Sequence, residues 1–411
     1  MTVPTDANSL GRRVATFRSR KGLSQKELGA RISRSESWVS QVERGARRVD
    51  RMSVLETLAE ALEVPLAELA PDEGVVAAMA TRPRAASSLS LALSSSDALQ
   101  AVLSDKAPVD VDGLGARAEE AWDYAHGSEY ENLSDLLGSL IPELEYAVRK
   151  TTGIDRRRVC IAKAKAYHAA AGVLSKLGEP GAAWVAVDRS IAAAEDADDP
   201  LLMAAGAFRL AIVFQNSRRP DLAAQSARTA VNALGRLIEA GEPEAIALRG
   251  ALYLQLAVAA ARINDADEAY DNLDSAREAA KSLGVDRNDY NTEFGPTNVL
   301  LHEVNVAVEL GDAGRALRVA AKADVSNLSP ERQARLLIDV ARAHAQRRNA
   351  DGVNDALRRA LDVAPEQVTT HPAVQELLAD ALRSDYGNTP DLRELSEAIG
   401  SKGLPQQRRD A

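Results

Sequence analysis

The stretch LSQKELGARISRSESWVSQVERG, from Leu23 to Gly45, has the spacing of two short amphipathic helices joined by a tight turn. Ser24 and Glu27 have the S-x-x-E spacing of a capping box, which begins a helix. A turn near 32–34 ends this helix, and a second one is predicted from about Ser35 to Arg44, with Gly45 as its C-terminal stop. The apolar residues recur every three or four positions and are predicted to form a core: Leu28, Ile32, Val39 and Val42. The pair is either a plain helical hairpin or a surface that binds DNA.

The flanking segments complete a four-helix head over residues 1–70. A helix from about Ser9 to Lys21 precedes the pair, and another begins at Ser53, where Ser53 and Glu56 form a second capping box. Each has one apolar face directed at the same core: Leu10, Val14 and Phe17 in the first, and Leu55, Leu58, Ala59 and Leu62 in the last. The sequence therefore predicts a small all-helical domain.

Charge is distributed unevenly along the chain. Residues 9–51 contain twelve Lys or Arg and four acidic residues, whereas the whole chain has a formal net charge of −10. Residues 1–70 carry +3, so the remaining 341 residues carry −13. A basic head on an acidic body is typical of a nucleic-acid-binding module fused to another domain. A merely solvated basic surface is the alternative that charge alone leaves open.

The segment from about Ser9 to Leu69 resembles the helix-turn-helix domain of the Cro/C1-repressor family, also called XRE-type. The resemblance is carried by GLSQKELGARI, SESWVSQVERG and LETLAEALEVPLAEL. One departure is Ser33, where the family often has glycine in the turn. The resemblance implies a lambda-repressor-like helical bundle whose second paired helix lies in the major groove of DNA.

The resemblance also implies which side chains contact DNA. The base-reading positions of the family fall on Glu36, Ser37, Ser40 and Gln41. The helix cap Ser35 directly precedes them and belongs to the same predicted DNA-binding set. Gln41 suits an adenine, and Glu36 suits the amino group of a cytosine. Gln25, at the start of the preceding helix, matches a phosphate and base contact. The expected contacts to the DNA backbone are basic: Lys26, Arg34, Arg44, Arg47 and Arg48.

Two side chains of the head have a structural alternative. Glu43 and Arg18 form a structural ion pair in the family, and we predict that role rather than a DNA contact. Trp38 lies in the reading helix, where an aromatic residue is unusual. It either packs on a thymine methyl group or sugar, or is buried against the first helix.

Residues 71–114 are predicted to form a linker. The segment ATRPRAASSLSLALSSSDAL is rich in Ala, Ser and Pro, which is typical of a partly flexible connection. A helix through Leu89–Leu103 would present four leucines on one side: Leu89, Leu93, Leu99 and Leu103. That side could dock on the body or pair with a second protomer, and the sequence does not choose between them.

Residues 115–400 are predicted to form an α-solenoid, followed by a flexible tail over 401–411. Helical segments alternate with similar joints, among them KLGEPGAAWVA, NSRRPDLAAQSA, INDADEAYDNL, ELGDAGRAL and RRNADGVNDAL. The anchors Ala183, Ala224, Ala269, Ala316 and Val353 lie 37 to 47 residues apart. A recurring helix–turn–helix unit of this kind indicates stacked helix pairs, and we expect five to seven. The pattern resembles tetratricopeptide repeats, with a longer period than that family's usual 34.

A polar stripe in the segment NTEFGPTNVLLHEVNVAVELGD suggests a ligand site on the concave face of the solenoid. Asn298, His302, Asn305 and Glu309 follow at helical spacing, and an asparagine amide can both donate to and accept from a peptide backbone. The companions predicted on other first helices are Gln215, Asn216, Arg249, Tyr253, Lys165 and His168. An ordinary solvated face is the alternative for each residue.

A DNA-binding head on a tetratricopeptide-like body resembles the peptide-responsive, quorum-sensing regulators of Gram-positive bacteria. The resemblance implies a homodimeric transcription regulator that binds an inverted repeat in double-stranded DNA and senses a short peptide in its solenoid. It is architectural, so the peptide is an analogy. The alternatives are a regulator that senses a small molecule or protein, and an interaction adaptor in which DNA binding is secondary.

The composition argues against other classes of protein. Cys160 is the only cysteine, which favours the reducing cytoplasm, and no apolar run approaches the ~20 residues that span a bilayer. The five histidines lie far apart in the sequence, without the spacing of metal ligands. Phosphate-binding loops and nucleophile elbows are lacking too. We therefore predict a cytoplasmic protein that is not an enzyme and that needs neither cofactor nor metal, with no membrane partner.

Overall fold

The computed structural model describes a chain built from α-helices, which confirms the predicted all-α class. Among the described residues the other regular features are a 3₁₀ turn at Asp289–Asn291 and one isolated antiparallel bridge between Arg287 and Phe294. The helices divide into two compact units, one within Met1–Arg82 and Gln375–Leu404 and the other within Pro83–Val374. The described residues are 7–32, 34–44, 49, 52–64, 69, 84–93, 109–384 and 386–402.

The head begins the first unit, and its described residues form four helices with stated bounds: α1 Ala7–Arg20, α2 Gln25–Arg31, α3 Glu36–Glu43 and α4 Met52–Leu62. Ser24 caps α2, and both halves of the predicted capping box are present with Glu27. The Ser35 hydroxyl caps α3 by accepting from the Trp38 N–H. These caps satisfy backbone groups that would otherwise lack partners at the helix starts. The core comprises fully buried side chains from all four helices, including Val14, Leu28, Val39 and Leu58.

The segment assigned to the linker contains a helix, α5, at Arg84–Ala92, which begins five residues before the predicted start at Leu89, while 94–103 lie outside the described residues. It starts earlier because Ala85, Ala86 and Leu89 form a buried face. This face packs on the helix Tyr130–Lys150, so the helix docks on the body, one of the two alternatives that the sequence left open. Leu99 and Leu103 lie outside the described residues.

The body consists of six antiparallel helix pairs among the described residues. The first helices of the pairs are α6 Val111–Gly127, α8 Gly153–Lys176, α10 Pro200–Asn216, α13 Pro243–Arg262, α15 Pro296–Glu309 and α17 Pro330–Gln346. The second helices are α7 Tyr130–Lys150, α9 Pro180–Asp196, α11 Pro220–Ala233, α14 Ala266–Leu283, α16 Ala313–Ala320 and α18 Ala350–Val363. Two further helices belong to the second unit, α12 Gly235–Glu239 and α19 Pro365–Thr370. The helix α20 Pro372–Arg383 crosses the boundary between the units, and α21 Pro390–Lys402 belongs to the first unit. The tail 403–411 lies outside the described residues.

The six first helices form a closed ring. Each contacts the first helix of the next pair, and α17 of the last pair contacts α6 of the first. The second helices pack on the first helices of their own pairs. The first helices therefore surround a common interior, so residues separated by more than 200 positions in the sequence share one environment.

The same turn joins the two helices of every pair. In each, an N–H near the start of the second helix donates to the carbonyl five residues earlier, as from Glu179 to Leu174 at 2.9 Å and from Asn349 to His344 at 3.0 Å. This is the hydrogen bond of a Schellman turn, which needs a left-handed residue. The residues with positive φ at these turns are Ser128, Gly178, Arg218, Asn264, Gly311 and Arg348.

A buried residue follows each turn at the fourth position of the second helix. These residues are at most 1% exposed: Leu133, Ala183, Ala223, Ala269, Ala316 and Val353. Four of the five predicted anchors therefore hold the same place in the repeat. The prediction of Ala224 is wrong by one residue, because Ala223 occupies this place and Ala224 is only half-buried.

The repeated turn allows a test by substitution. Arg348 is exposed and has φ 55°, a conformation that strains residues with a Cβ, whereas Gly311 has φ 82° at the equivalent turn. We expect Arg348→Gly to raise the free energy of unfolding by ~0.5 kcal/mol and Gly311→Ala to lower it by ~1 kcal/mol. Urea denaturation of the full chain measures both. Changes of the same sign in the two variants would contradict a shared left-handed turn.

One helix of the ring, α13, is long and apolar enough to cross a membrane by length and composition alone. In this structure, 78% of its apolar window is buried by the rest of the protein. Its apolar character is that of a core helix, since it packs against α10, α11, α14 and α15.

Candidate functional site

The α3 surface carries the predicted base-reading side chains. Glu36 and Ser37 are exposed, and Ser40 and Gln41 are partly exposed. The side chains of Glu36, Ser37 and Gln41 make no hydrogen bond to other described residues, so their polar groups can reach an external partner. The end of α3 is also exposed at Arg44, whose Nε donates to the Ser40 carbonyl at 3.1 Å.

Close backbone packing fixes where α3 begins. The Arg34 N–H donates to the Gly29 carbonyl at 2.8 Å, which folds the chain back against α2. A Cβ added at Gly29 would lie 2.7 Å from the Arg34 carbonyl oxygen. Only glycine fits this contact without a shift of the backbone, so α2 and the start of α3 form one rigid unit.

A carboxylate network holds the other end of α3. Glu43 accepts from Arg18 Nε at 2.5 Å and from Arg18 Nη2 at 3.0 Å, and Arg18 also donates to the Leu23 carbonyl at 2.7 Å. The predicted structural pair of Arg18 and Glu43 is therefore confirmed. Gln25 Nε2 donates to Glu43 at 2.6 Å, so this amide joins α2 to α3. The second N–H of Gln25 Nε2 and its carbonyl oxygen have no partner among the described residues.

Trp38 is half-buried and packs against the head core. The Arg34 guanidinium carbon lies 5.9 Å from the centre of the Trp38 ring, within the range of a cation–π contact. The ring thus performs the packing role that the sequence left open. It also supports Arg34 beside the reading helix.

Free positive charge surrounds α3. Lys26, Arg34 and Arg44 are exposed, and none of them forms an ion pair with a described residue. The sequence predicts these three residues as contacts to the DNA backbone. Arg47 and Arg48 lie outside the described residues, as does the turn residue Ser33.

The predicted ligand residues of α15 lie at the ring interior and are buried. Asn298 is 2%, His302 3% and Asn305 7% exposed. Asn305 Nδ2 donates to the two Asp339 carboxylate oxygens at 3.1 and 2.9 Å, which ties α15 to α17. His302 Nδ1 lies 3.0 Å from the Asn298 carbonyl. Three polar atoms stay without a hydrogen-bond partner there: Asn298 Oδ1, Asn305 Oδ1 and His302 Nε2.

The other predicted ligand residues differ in their surroundings. Gln215 Nε2 donates to the Gln255 carbonyl at 3.0 Å, and Asn216 Nδ2 donates to Ser175 Oγ at 2.7 Å, so both join neighbouring first helices. Tyr253 is half-buried against the apolar core, and Arg249 Nε is buried without a hydrogen-bond partner. His168 is 1% exposed, and its ring meets Trp122 edge-on with 5.0 Å between centroids. Lys165 pairs with Glu119.

The ring also brings together charged residues that sequence reasoning missed. Lys176 Nζ lies 3.1 Å from Glu331 Oε1, and Arg332 Nε lies 3.1 Å from Glu293 Oε2. The Arg209 guanidinium carbon lies 5.7 Å from the Trp122 ring centre. We call this group the interior cluster, which comprises Trp122, His126, His168, Lys176, Arg209, Glu293, His302, Glu331, Arg332, Arg335 and His371.

The sequence does contain one signal for this cluster. Arg209 is the single charged residue in PLLMAAGAFRLAIVFQN, a helix that is otherwise apolar on most sides. A buried charge in such a helix needs a reason, since its desolvation is costly. Four of the five histidines join the cluster, although they lie far apart in the sequence. The described residues nevertheless contain no group of three His, Cys, Asp or Glu side chains suited to hold a metal ion.

Burial keeps the interior histidines neutral. It lowers the pKa of His302 well below its usual value, with a further contribution from Arg335 and Arg332, and it lowers the pKa of His371 to about 4. A histidine with a depressed folded-state pKa contributes stability above its unfolded pKa of about 6.5, and this is lost as the pH falls.

This depression predicts acid sensitivity of the body. Between pH 7.5 and pH 5.5, we expect His302 to account for a loss of ~1 kcal/mol in the free energy of unfolding. Glutamine does not titrate, so the free energy of unfolding of His302→Gln should fall by ~1 kcal/mol less than that of the parent over this pH range. Urea denaturation at the two pH values measures the difference. An identical pH dependence in the variant would rule out a neutral buried His302.

Comparison with known proteins agrees with the geometry of the head. Residues 9–71 match the family model of a helix-turn-helix domain. None of the curated proteins compared with the chain matches it. Among solved structures, the chain is similar to Bacillus thuringiensis PlcR in complex with the peptide PapR7 and DNA, at 16% identity over 67% of this chain and 96% of that chain. The TM-score is 0.30, too low to establish a common arrangement. The chain therefore carries a helix-turn-helix domain over residues 9–71.

Proposed function

We propose that this protein is a cytoplasmic, homodimeric transcription regulator that binds a specific DNA sequence through α3 and senses a ligand in the interior of its helical ring. The observation that carries the DNA-binding part is the α3 surface. It presents Ser37 and Gln41 without competing partners on a helix anchored at both ends. Free cations at Lys26, Arg34 and Arg44 lie beside them.

The chemistry of this surface separates positioning from specificity. The free cations neutralise phosphates and give affinity that falls with salt. Gln41 can bond to adenine in a bidentate manner, and Glu36 can accept from a cytosine amino group. The network of Glu43, Arg18 and Gln25 holds the end of α3, so it determines the direction in which these groups point.

A homodimer follows from how such heads read DNA. Two reading helices must lie about 34 Å apart to enter successive major grooves on one face of B-DNA. The operator is then an inverted repeat. A ligand that changes the ring would change this spacing and hence the affinity for the operator.

The ligand is proposed to be a short peptide held in the ring interior. The support is the set of buried polar atoms on α15, because amide and imidazole acceptors suit the N–H groups of a peptide backbone. The ring gives one enclosed environment in which several first helices can contact the same ligand.

A substitution of the reading helix tests the proposal. Sheared DNA from the source genome is first retained on the purified full-length protein and sequenced to define the bound site. We expect Gln41→Ala to weaken binding to this site about 10-fold, since one bidentate base contact is worth ~1–3 kcal/mol. The circular dichroism of the variant should be unchanged. Glu60→Ala, an exposed substitution on α4, serves as the control.

Two results would count against the proposal. Retention of DNA without common sequence peaks would remove the claim of a specific operator. Unchanged affinity and site preference in Gln41→Ala would remove α3 as the reading helix. Retention of a protein partner instead of DNA would favour the adaptor alternative.

A further inference from the structure

The interior cluster contains more positive than negative charge. Glu331 pairs with Lys176 at 3.1 Å and lies 3.4 Å from Arg332, and Glu293 pairs with Arg332 at 3.1 Å. These two carboxylates therefore neutralise Lys176 and Arg332. Two further cations of the cluster, Arg209 and Arg335, remain.

Arg209 and Arg335 form no ion pair and no hydrogen bond with the described residues. Arg209 is 8% exposed, its Nε is buried without a partner, and its guanidinium lies against Trp122. Arg335 is half-buried on α17. Desolvation, followed by the charges of Arg332 and Arg335, lowers the pKa of Arg209 to about 10. Such charges are costly to keep unless an anion meets them.

The absence of a side chain at Gly172 leaves room for the Arg209 guanidinium. A Cβ added at Gly172 would lie 3.3 Å from both Cζ and Nη1 of Arg209. The guanidinium therefore lies directly over α8, held between this helix and the Trp122 ring. A planar cation fixed in this way has the fork geometry that binds carboxylates.

Buried acceptors lie on α15 in the same interior. His302 Nδ1 is 3.0 Å from the Asn298 carbonyl, which can only accept, so the neutral ring carries its proton on Nδ1. His302 Nε2 is then an acceptor, and it is buried without a partner, as is Asn298 Oδ1. The charges of Arg335 and Arg332 reach His302. Two arginines without a direct ion pair thus lie near acceptors without donors, and the nearby carboxylates act on them only at longer range, Glu331 on both and Asp339 on Arg335.

We propose that the interior cluster binds a carboxylate that also carries N–H or O–H donors. The carboxylate lies against Arg209 and Arg335, and the donors of the ligand face His302 Nε2 and Asn298 Oδ1. This inference rests on the proposed sensing role of the ring and names the chemistry of its ligand. Two sources share that chemistry, the free carboxyl terminus of a short peptide and a small hydroxycarboxylate.

Fluorescence of Trp122 provides a local readout of binding. The chain has three tryptophans, so the full-length double variant Trp38→Phe and Trp184→Phe leaves Trp122 as the only one. The probes are a pool of tripeptides with free carboxyl termini, the same pool with amidated termini, and malate. We expect the free-acid pool or malate to change Trp122 emission and the amidated pool to leave it unchanged.

Arg335→Met should reduce the affinity for the responding probe at least 10-fold. If this variant folds poorly, Arg335→Lys replaces it, because lysine keeps the positive charge but lacks the forked guanidinium. A response to the free-acid pool identifies a peptide source, and a response to malate identifies a small acid. The proposal is overturned if neither carboxylate probe acts, if the amidated pool acts equally, or if the Arg335 variants bind as tightly as their parent.

Thermal unfolding without any probe gives an independent test. Arg335→Met removes an unpaired charge and should raise Tm by ~2 °C. Arg342, two turns along the same helix, bonds to Asp339 at 2.9 Å and Glu309 at 3.0 Å, so Arg342→Met should lower Tm. Equal decreases in the two variants would overturn the proposal. Neither the Trp122 fluorescence nor the thermal unfolding depends on DNA binding. A negative result for the carboxylate site is therefore distinguishable from a negative result for DNA binding.

Discussion

Glu43→Gln is expected to lower the local stability of the head by ~3 kcal/mol and to abolish specific DNA binding. Glu43 is the single acceptor for Arg18 Nε, Arg18 Nη2 and Gln25 Nε2, and the side chains of Arg18 and Glu43 are only 16% and 7% exposed. Loss of the carboxylate leaves a poorly hydrated arginine without its counter-charge, which is worth about this amount in partly buried pairs. The end of α3 would then be held to α1 and α2 by the apolar core and by the weaker acceptor oxygen of the glutamine.

Hydrogen exchange of the full-length protein measures this effect where it arises. Peptides that cover residues 23–44 should exchange faster in Glu43→Gln, while peptides from the body keep their rates. Glu36→Gln is the matched control, because Glu36 lies on the same helix, is exposed and has no partner among the described residues. Equal exchange in the Glu43 variant and the control would show that the network does not hold α3.

Glu331→Gln is expected to destabilise the body by ~3–5 kcal/mol. Glu331 is 6% exposed and contacts both Lys176 and Arg332. Its pKa lies below the usual range, because the nearby Lys176 and Arg332 favour the ionised form despite burial. The variant would leave four cations in the interior cluster with Glu293 as the remaining carboxylate.

A double substitution separates charge imbalance from a packing defect. Lys176→Met removes the partner of Glu331, so Glu331→Gln with Lys176→Met should be more stable than Glu331→Gln alone by at least 1 kcal/mol. Urea denaturation of the four proteins in this cycle measures the coupling. Additive effects of the two substitutions would contradict an ion pair between α8 and α17 across the ring.

The head could be predicted closely because its signals are local. The capping box of Ser24 and Glu27 spans four residues and is present. The pair of Arg18 and Glu43 joins residues 25 positions apart, and its prediction rests on the family resemblance rather than on a local pattern. The first helix was expected from Ser9 to Lys21 and spans Ala7–Arg20, since helix ends are set weakly by sequence. The sequence does not predict the bond from Gln25 to Glu43, because an amide at a predicted DNA-contact position gives no sign of an internal partner.

The body could be predicted as repeated helix pairs, but its interior could not. The short joints in the sequence predict the helix pairs, because each joint contains the residues of the same turn. The contacts of Lys176 with Glu331 and of Arg209 with Trp122 form only when the first helix of the last pair packs against that of the first pair and closes the ring. No short stretch of sequence predicts that packing. Asn305 looked like a ligand residue, yet its amide donor serves Asp339 on the next first helix.

We propose that the basic head binds a specific DNA sequence as part of a dimer. A fluorescence-anisotropy titration of the full-length protein on the genomic site and on a scrambled duplex, at several salt concentrations, tests the sequence specificity directly. We expect the genomic site to bind at least ~10³-fold more tightly than the scrambled duplex, with affinity that falls steeply as salt rises. Equal affinities for the two duplexes would contradict it.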